Sequence, residues 1–222
     1  MVTVWDLEEN QMPVFQFRPP LSKLKGVSLS CDQKALAING KDFQGRELIL
    51  IYSFEDLTRF QKVELLARQL CDFELISLKF SEVLVNCLIG CGKENIRFFK
   101  MKSNFLPSQL VSLNNTARGK VFNSSVCTYK LIDDPKSGPS TRKISQVLVS
   151  TDCGLLYIIN YFSRQVDKIV QVHDEKVQQL VMAPPKDDNE LVPFYLTASR
   201  NGNLRIWSPD FSKLVSEVSI NQ

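Results

Sequence analysis

The chain is poor in the side chains that histidine-based enzymes and metalloproteins use. Histidine occurs once among 222 residues, at His173, and no apolar run approaches the ~20 residues needed to span a bilayer. At the N-terminus no cationic segment precedes an apolar one, so we do not expect a secretory signal. A catalytic histidine would need an acid or nucleophile beside it, and no motif supplies one. We therefore expect no catalytic residue, no cofactor and no membrane contact.

Cysteine is present, but it is not arranged for metal binding. Cys87 and Cys91 are four residues apart, yet zinc sites complete such a pair with further cysteine or histidine ligands, and none is near in the sequence. Without a secretory signal, we expect mostly buried free thiols and no metal site. The six cysteines are Cys31, Cys71, Cys87, Cys91, Cys127 and Cys153.

The charges are almost balanced. The chain has 27 basic and 24 acidic residues, for a net charge of +3, which suits an acidic partner surface. The basic residues are not interleaved with aromatic side chains as in proteins that bind single strands, so we do not expect nucleic acid as the partner. Our candidate partner-binding residues are Lys41, Arg46, Lys136, Arg142, Lys143 and Lys186.

A repeat of short apolar runs organises the sequence. Five runs align on one large side chain each, at intervals of 47, 47, 60 and 48 residues: Trp5, Tyr52, Phe99, Ile159 and Trp207. Propeller blades repeat every ~40–45 residues, with insertions in their loops. The longest interval contains the polar, turn-forming stretch 133–143, which we interpret as an inserted loop.

Each repeat holds about four strand-like runs separated by turn residues, which is typical of propeller blades. We therefore predict an all-β fold, a partial β-propeller of about four and a half four-stranded blades. The predicted units are the second half of an incomplete blade at 1–20 and blades at 21–70, 71–116, 117–172 and 173–222.

The stretch 57–70 has two interpretations. Its apolar residues fall near helical spacing, which fits a helix inserted between blades. We favour an outer strand at about 63–69, because the blade otherwise lacks its fourth strand.

The last repeat resembles a WD repeat. In that family a His, a Ser, an Asp and a Trp form a hydrogen-bonded tetrad inside a blade. The matching positions here are His173, Ser199, Asn201 and Trp207. The Asn that replaces Asp is a neutral and weaker acceptor. The resemblance implies a structural role for His173, bonded to Ser199 and its neighbours.

Three stretches, 35–46, 91–99 and 150–161, are similar to a narrower family, the centriolar and ciliary WD-repeat proteins, and more loosely to the echinoderm microtubule-associated proteins. The resemblance implies a non-catalytic scaffold of the cytoplasm and cytoskeleton, on the microtubule wall of the cilium, axoneme or centriole. It implies tubulin or axonemal and centriolar scaffold proteins as partners.

The alternative is a WD-repeat adaptor such as a ubiquitin-ligase substrate receptor. Such receptors often carry Arg two residues after a Trp-Asp pair. This chain has Glu8 at that distance from Trp5-Asp6, which counts against the alternative.

Four and a half blades do not close a ring, and open sheet edges promote aggregation. We expect the propeller to be completed by further sequence or by neighbouring chains, and the chain alone to be insoluble or polydisperse. The loops 133–143 and 183–193 both join the first and second strands of their blades. We therefore expect them on one face, where they are candidates for partner contact.

Overall fold

The computed structural model describes residues 1–5, 13–54, 63–133, 141–183 and 194–220, with backbone alone at 129–133 and 141–144. Within these ranges the protein has eighteen β-strands and one 3-10 helix, Asn114–Ala117. The strands are β1 (Val2–Trp5), β2 (Pro13–Phe17), β3 (Lys23–Leu29), β4 (Ala35–Lys41), β5 (Glu47–Ser53), β6 (Glu64–Cys71), β7 (Leu75–Phe80), β8 (Cys87–Gly92), β9 (Asn95–Lys100), β10 (Ser108–Leu110), β11 (Phe122–Asp133), β12 (Thr141–Thr151), β13 (Leu155–Asn160), β14 (Val166–Gln171), β15 (Val177–Met182), β16 (Tyr195–Ser199), β17 (Asn203–Trp207) and β18 (Leu214–Ser219).

The strands of the described residues form one two-stranded sheet and four four-stranded sheets, all antiparallel and in chain order. The two-stranded sheet, β1 and β2, is the half blade. The others are blade 1 (β3–β6), blade 2 (β7–β10), blade 3 (β11–β14) and blade 4 (β15–β18). The first strands of successive blades contact one another, so the first strand of each blade is innermost. This arrangement confirms the prediction of an all-β, partial propeller.

The hydrophobic core lies between the blades. One cluster packs the half blade on blade 1, where the rings of Phe17 and Tyr52 meet at 5.0 Å. Three further clusters fill the spaces between consecutive blades. Because neighbours cover both faces of blade 1, its middle strands β4 and β5 are buried along nearly their whole length and do not alternate. Each blade is therefore stabilised chiefly by its neighbours.

The structure decides the ambiguous segment in blade 1. The outer strand predicted at 63–69 is confirmed as β6, which pairs with the whole of β5. Residues 55–62, which complete the alternative helical pattern, lie outside the described residues.

The inserted loop is shorter than the predicted 133–143, and this boundary was wrong. β11 ends at Asp133 and β12 begins at Thr141, and these two residues pair with each other. Antiparallel pairing satisfies backbone donors and acceptors whatever the side chains are, so a polar stretch continues a hairpin as well as an apolar one. Residues 134–140 and 184–193 lie outside the described residues, so the common face of the two loops stays a prediction.

β11 and β12 extend beyond blade 3 as a two-stranded ribbon. β12 pairs with β11 along its whole length but with β13 only from Gln146 to Ser150. The unshared segment, 141–145 paired with 129–133, is here called the ribbon. At about 3.3 Å per residue it is roughly 17 Å long. It leaves the blade at the end where β11 turns into β12.

Candidate partner-binding site

The candidate tetrad surrounds a hydroxyl that the sequence pattern did not single out, that of Thr197. His173 is buried, and its Nε2 atom lies 2.8 Å from Thr197 Oγ1. The indole Nε1 of Trp207 donates to the same oxygen at 2.9 Å. A hydroxyl that accepts from the indole has its own proton left to donate to a neutral imidazole. Thr197 thus joins the loop before β15 to β16 and β17.

The other two candidates form the adjoining turn between β16 and β17. The hydroxyl of Ser199 donates to Oδ1 of Asn201 and, at 3.3 Å, to the carbonyl oxygen of Asn203. The amide of Asn203 donates back to Asn201 Oδ1, also at 3.3 Å. The structure therefore brings His173 and Trp207 together through Thr197, and places Ser199 with Asn201 in the next turn.

The environment of His173 keeps its ring neutral. Burial is the largest cause that lowers the pKa of His173, and the positive charge of Arg205 lowers it further. Arg205 is fixed nearby, because its Nη1 donates to the carbonyl oxygen of Val172 at 2.7 Å. A neutral His173 ring can accept a hydrogen bond from the Thr197 hydroxyl, and this bond links the loop before β15 to β16.

The cysteines are free thiols in the structure, as expected, but they are not all buried. Cys87, Cys91 and Cys127 are buried, whereas Cys31 and Cys153 are exposed because they lie in turns. Burial raises the pKa of the Cys91 thiol to about 12, so it stays protonated and is a poor metal ligand or nucleophile.

The described residues provide neither a cluster of metal ligands nor a long apolar helix. Among them, no group of three His, Cys, Asp or Glu side chains is placed to hold a metal ion. No helix in the same part of the chain is long and apolar enough to cross a membrane.

Two of the candidate basic residues are engaged within blade 1. The Lys41 ammonium lies 4.0 Å from Glu47, and the Arg46 guanidinium lies 2.8 Å from a carboxylate oxygen of Asp42. Asp42 also accepts from the backbone amide of Arg46 at 2.9 Å, which fixes the turn between β4 and β5. These two side chains are partly exposed but already have carboxylate partners.

Two other basic candidates belong to another part of the molecule. Arg142 and Lys143 lie on the ribbon, where their backbones pair with Ile132 and Leu131. Lys136 and Lys186 lie outside the described residues. The ribbon leaves blade 3 at the end where first strands turn into second strands. Lys41 and Arg46 lie where a second strand turns into a third, which is the opposite end in an antiparallel sheet. The structure does not bring the two groups together.

Comparison with known proteins agrees with this architecture, although no family model matches the chain. Centriole proteome protein 16 of Chlamydomonas reinhardtii is 30% identical over 207 residues, which are 89% of this chain and 10% of that protein. WD repeat-containing protein 90 is 23% identical over 229 residues in Xenopus tropicalis and 26% identical over 233 in Mus musculus. Each of these two matches covers 98% of this chain and 12% of the relative.

Matches along most of the chain to proteins named for their WD repeats, together with four four-stranded sheets in chain order, support a WD-repeat family. The chain resembles WD repeat-containing protein 90, as the stretches 35–46, 91–99 and 150–161 indicated. It spans about a tenth of the length of the relatives it matches. The partners of those long proteins are therefore not automatically partners of this part.

Proposed function

We propose that the chain is a non-catalytic scaffold that attaches to the microtubule wall of centrioles and cilia. The observation that carries the proposal is the similarity to a protein named for the centriole proteome, 30% identical over 89% of the chain. The fold supports it, because the turns of stacked blades form two faces of a rigid body. A protein partner can bind to such a face without any catalytic reaction.

The ribbon is the part that we propose to contact an acidic partner such as tubulin. It carries the backbone of Arg142 and Lys143 beyond the last residue pair that β12 shares with β13. Segments that extend from a rigid blade are candidates for contact with an acidic partner. Lys136 and Lys186 belong to the same proposal. Lys41 and Arg46 are the weaker candidates, because Glu47 and Asp42 already lie beside them.

The test is the position of the tagged full-length protein in ciliated cells. We expect it to mark centrioles and axonemes, resolved along the tubule wall by super-resolution imaging. The double reversal Arg142→Glu with Lys143→Glu is expected to remove this signal. Lys93→Glu with Lys213→Glu applies the same charge change at exposed positions outside the candidate set and is expected to leave the signal in place.

Two outcomes would contradict the proposal. A diffuse wild-type signal would exclude attachment to the wall. Recovery of a ubiquitin-ligase adaptor in place of tubulin or centriolar proteins, in a pull-down from the same cells, would favour the substrate-receptor alternative. The sequence that follows Trp207, Ser208-Pro209-Asp210, also lacks the Arg that such receptors often carry.

A further inference from the structure

A cavity opens between blade 2 and blade 3, at the end of the propeller where the ribbon leaves. Its volume is about 300 Å³, near the lower limit of ligand pockets and large enough for one aromatic side chain. One wall comes from β9, β10 and the turn that joins them, and the other from the turn after β13. The lining residues are Phe98, Lys100, Lys102, Pro107, Gln109 and Tyr161.

The apolar wall of the cavity is fixed in position. The rings of Phe98 and Tyr161 are stacked, with centroids 5.2 Å apart and planes at 18°. The hydroxyl of Tyr161 lies 3.1 Å from the Cys87 sulfur. The backbone amide of Tyr161 donates to the carbonyl oxygen of Ser145 at 3.1 Å. The ring of Phe162, 71% exposed, contacts Tyr161 edge-on beside the cavity. The wall therefore needs no rearrangement before a ligand binds.

The rim of the cavity is cationic. Lys100 and Lys102 are exposed and form no ion pair with any residue in the described ranges. The amide of Lys100 donates to the carbonyl oxygen of Pro107 at 3.0 Å, and Lys102 closes a tight turn with Phe105. The backbone thus holds both lysines beside the stacked rings.

The acidic side chain in the adjoining turn is already engaged. Glu82 lies between β7 and β8 at the same end of blade 2, and its Oε2 accepts a hydrogen bond from the Cys127 amide at 3.1 Å. That bond holds the carboxylate at blade 3. The two lysines are therefore available to carboxylates from outside the chain.

We propose that this cavity binds an extended acidic segment of a partner protein, with one aromatic side chain placed on the Phe98–Tyr161 pair and flanking carboxylates on Lys100 and Lys102. An offset or edge-on ring adds to the stack, and two charge-assisted hydrogen bonds fix the direction of the segment. A protein fits better than a nucleic acid, because the cavity offers one aromatic stack and not the series of platforms that single strands use. This inference rests on the proposed scaffold function in one respect: the ligand of the cavity is a protein.

The test uses purified full chain and a fluorescein-labelled peptide, Gly-Glu-Glu-Phe-Glu-Glu-Gly, followed by fluorescence anisotropy. Lys100→Glu with Lys102→Glu is expected to weaken binding by about tenfold or more, because attraction becomes repulsion at both contacts. The matched control is Lys93→Glu with Lys213→Glu, which changes the charge equally at exposed positions elsewhere. We expect less than about a threefold loss there, because screened surface charges act weakly at a distance.

A second variant separates the cavity from the charge. Gln109 is exposed on β10 and lines the cavity, so Gln109→Trp fills the space with both lysines intact. We expect the same loss of binding as for the lysine pair, with amide exchange of β8 and β9 unchanged. A peptide with Gly in place of Phe should lose binding in parallel.

Several results would overturn the proposal. The first two are no binding of the Phe peptide and equal binding of the Phe and Gly peptides. The others are a loss of affinity in the Lys93→Glu, Lys213→Glu control equal to that in the Lys100→Glu, Lys102→Glu variant, and tighter binding of a uridine decamer than of the Phe peptide. The measurement uses purified components, so its failure is distinct from a failure of the protein to mark centrioles. Loss of centriolar signal with intact peptide binding would contradict only the proposed function.

Discussion

Blades 3 and 4 use different means to hold the same backbone positions. The registers match, since Val147 pairs with Ile159 in blade 3 as Tyr195 pairs with Trp207 in blade 4. Two residues further along the second strand, blade 3 has Val149 and blade 4 has Thr197. Valine and threonine have nearly the same shape, so the difference is one hydroxyl group.

That hydroxyl decides how each blade is stabilised. In blade 3, Val149 and Ile159 are fully buried among apolar side chains from blade 2 and blade 3. In blade 4, Thr197 is just as buried but joins His173 and Trp207 by hydrogen bonds. Apolar packing tolerates small changes of shape, whereas a buried polar network loses heavily when one member is removed. The comparison teaches that a blade keeps its backbone geometry whether the position of Val149 and Thr197 is filled by apolar packing or by a hydrogen-bonded network.

The largest expected effect is at Gly154, in the turn between β12 and β13, which contacts the segment that joins blade 3 to blade 4. Its φ is +80°, and a Cβ built there would lie 1.8 Å from the carbonyl oxygen of His173. Gly154→Ala would force apart the two chain segments that its carbonyl joins through the amides of Val172 and His173. We expect a loss of about 3 kcal/mol or more from backbone strain and displacement. Amide exchange of β13–β15, followed by mass spectrometry, measures it.

Gly45 provides the matched control for this substitution. Its φ is +81°, almost the same, but nothing lies within 4 Å of the added Cβ. Gly45→Ala should therefore cost only about 1 kcal/mol, the conformational part alone. Equal losses at the two positions would show that the close approach of Gly154 to His173 contributes nothing.

The next effect is expected from exchanging the two residues that distinguish the blades. Thr197→Val leaves the Trp207 indole and the His173 ring nitrogen buried without their shared partner, at a cost of about 2–4 kcal/mol. Val149→Thr buries a hydroxyl group among apolar side chains, at about 1–3 kcal/mol. Amide exchange of β16–β17 and of β12–β13 measures each variant separately. A Thr197→Val protein as protected in β16–β17 as wild type would show that the network is not stabilising.

The sequence predicts the blades well and the details between them poorly. Continuous apolar runs such as 48–52 of β5 predict buried strands, and the structure confirms this one. Thr197 was missed because the family pattern points to Ser199, whereas strand register decides which hydroxyl lies beside Trp207. The ribbon was missed because a polar stretch was interpreted as a loop, although backbone pairing does not depend on side-chain polarity.

The cavity was missed for a related reason. Phe98 and Tyr161 lie on different blades, and no local sequence pattern predicts that their rings stack. Propensity and periodicity describe one strand at a time, so contacts between blades become visible only when the register of both is known.

The smallest expected effect is a dependence of blade 4 on pH that blade 3 lacks. Burial and the charge of Arg205 lower the pKa of His173 below its ordinary value of 6.5, against the opposing influence of Glu217 and Asp174. The folded blade therefore takes up a proton less readily than the unfolded chain. The stability that this contributes is fully present above pH 6.5 and is lost as the pH falls from 6.5 towards the lowered value.

Because His173 is the only histidine in the sequence, few other side chains titrate between about pH 7 and pH 5. After correction for intrinsic rates, we expect amide exchange of β15–β17 to accelerate over this range, while exchange of β12–β13 stays constant. His173→Gln, which cannot take up the proton, should remove the acceleration even if blade 4 becomes less stable throughout. A persistent acceleration in that variant would place the pH dependence outside the Thr197 network. A constant rate in both blades would mean that the charged imidazole is as well accommodated as the neutral one, against the direction in which burial shifts its pKa.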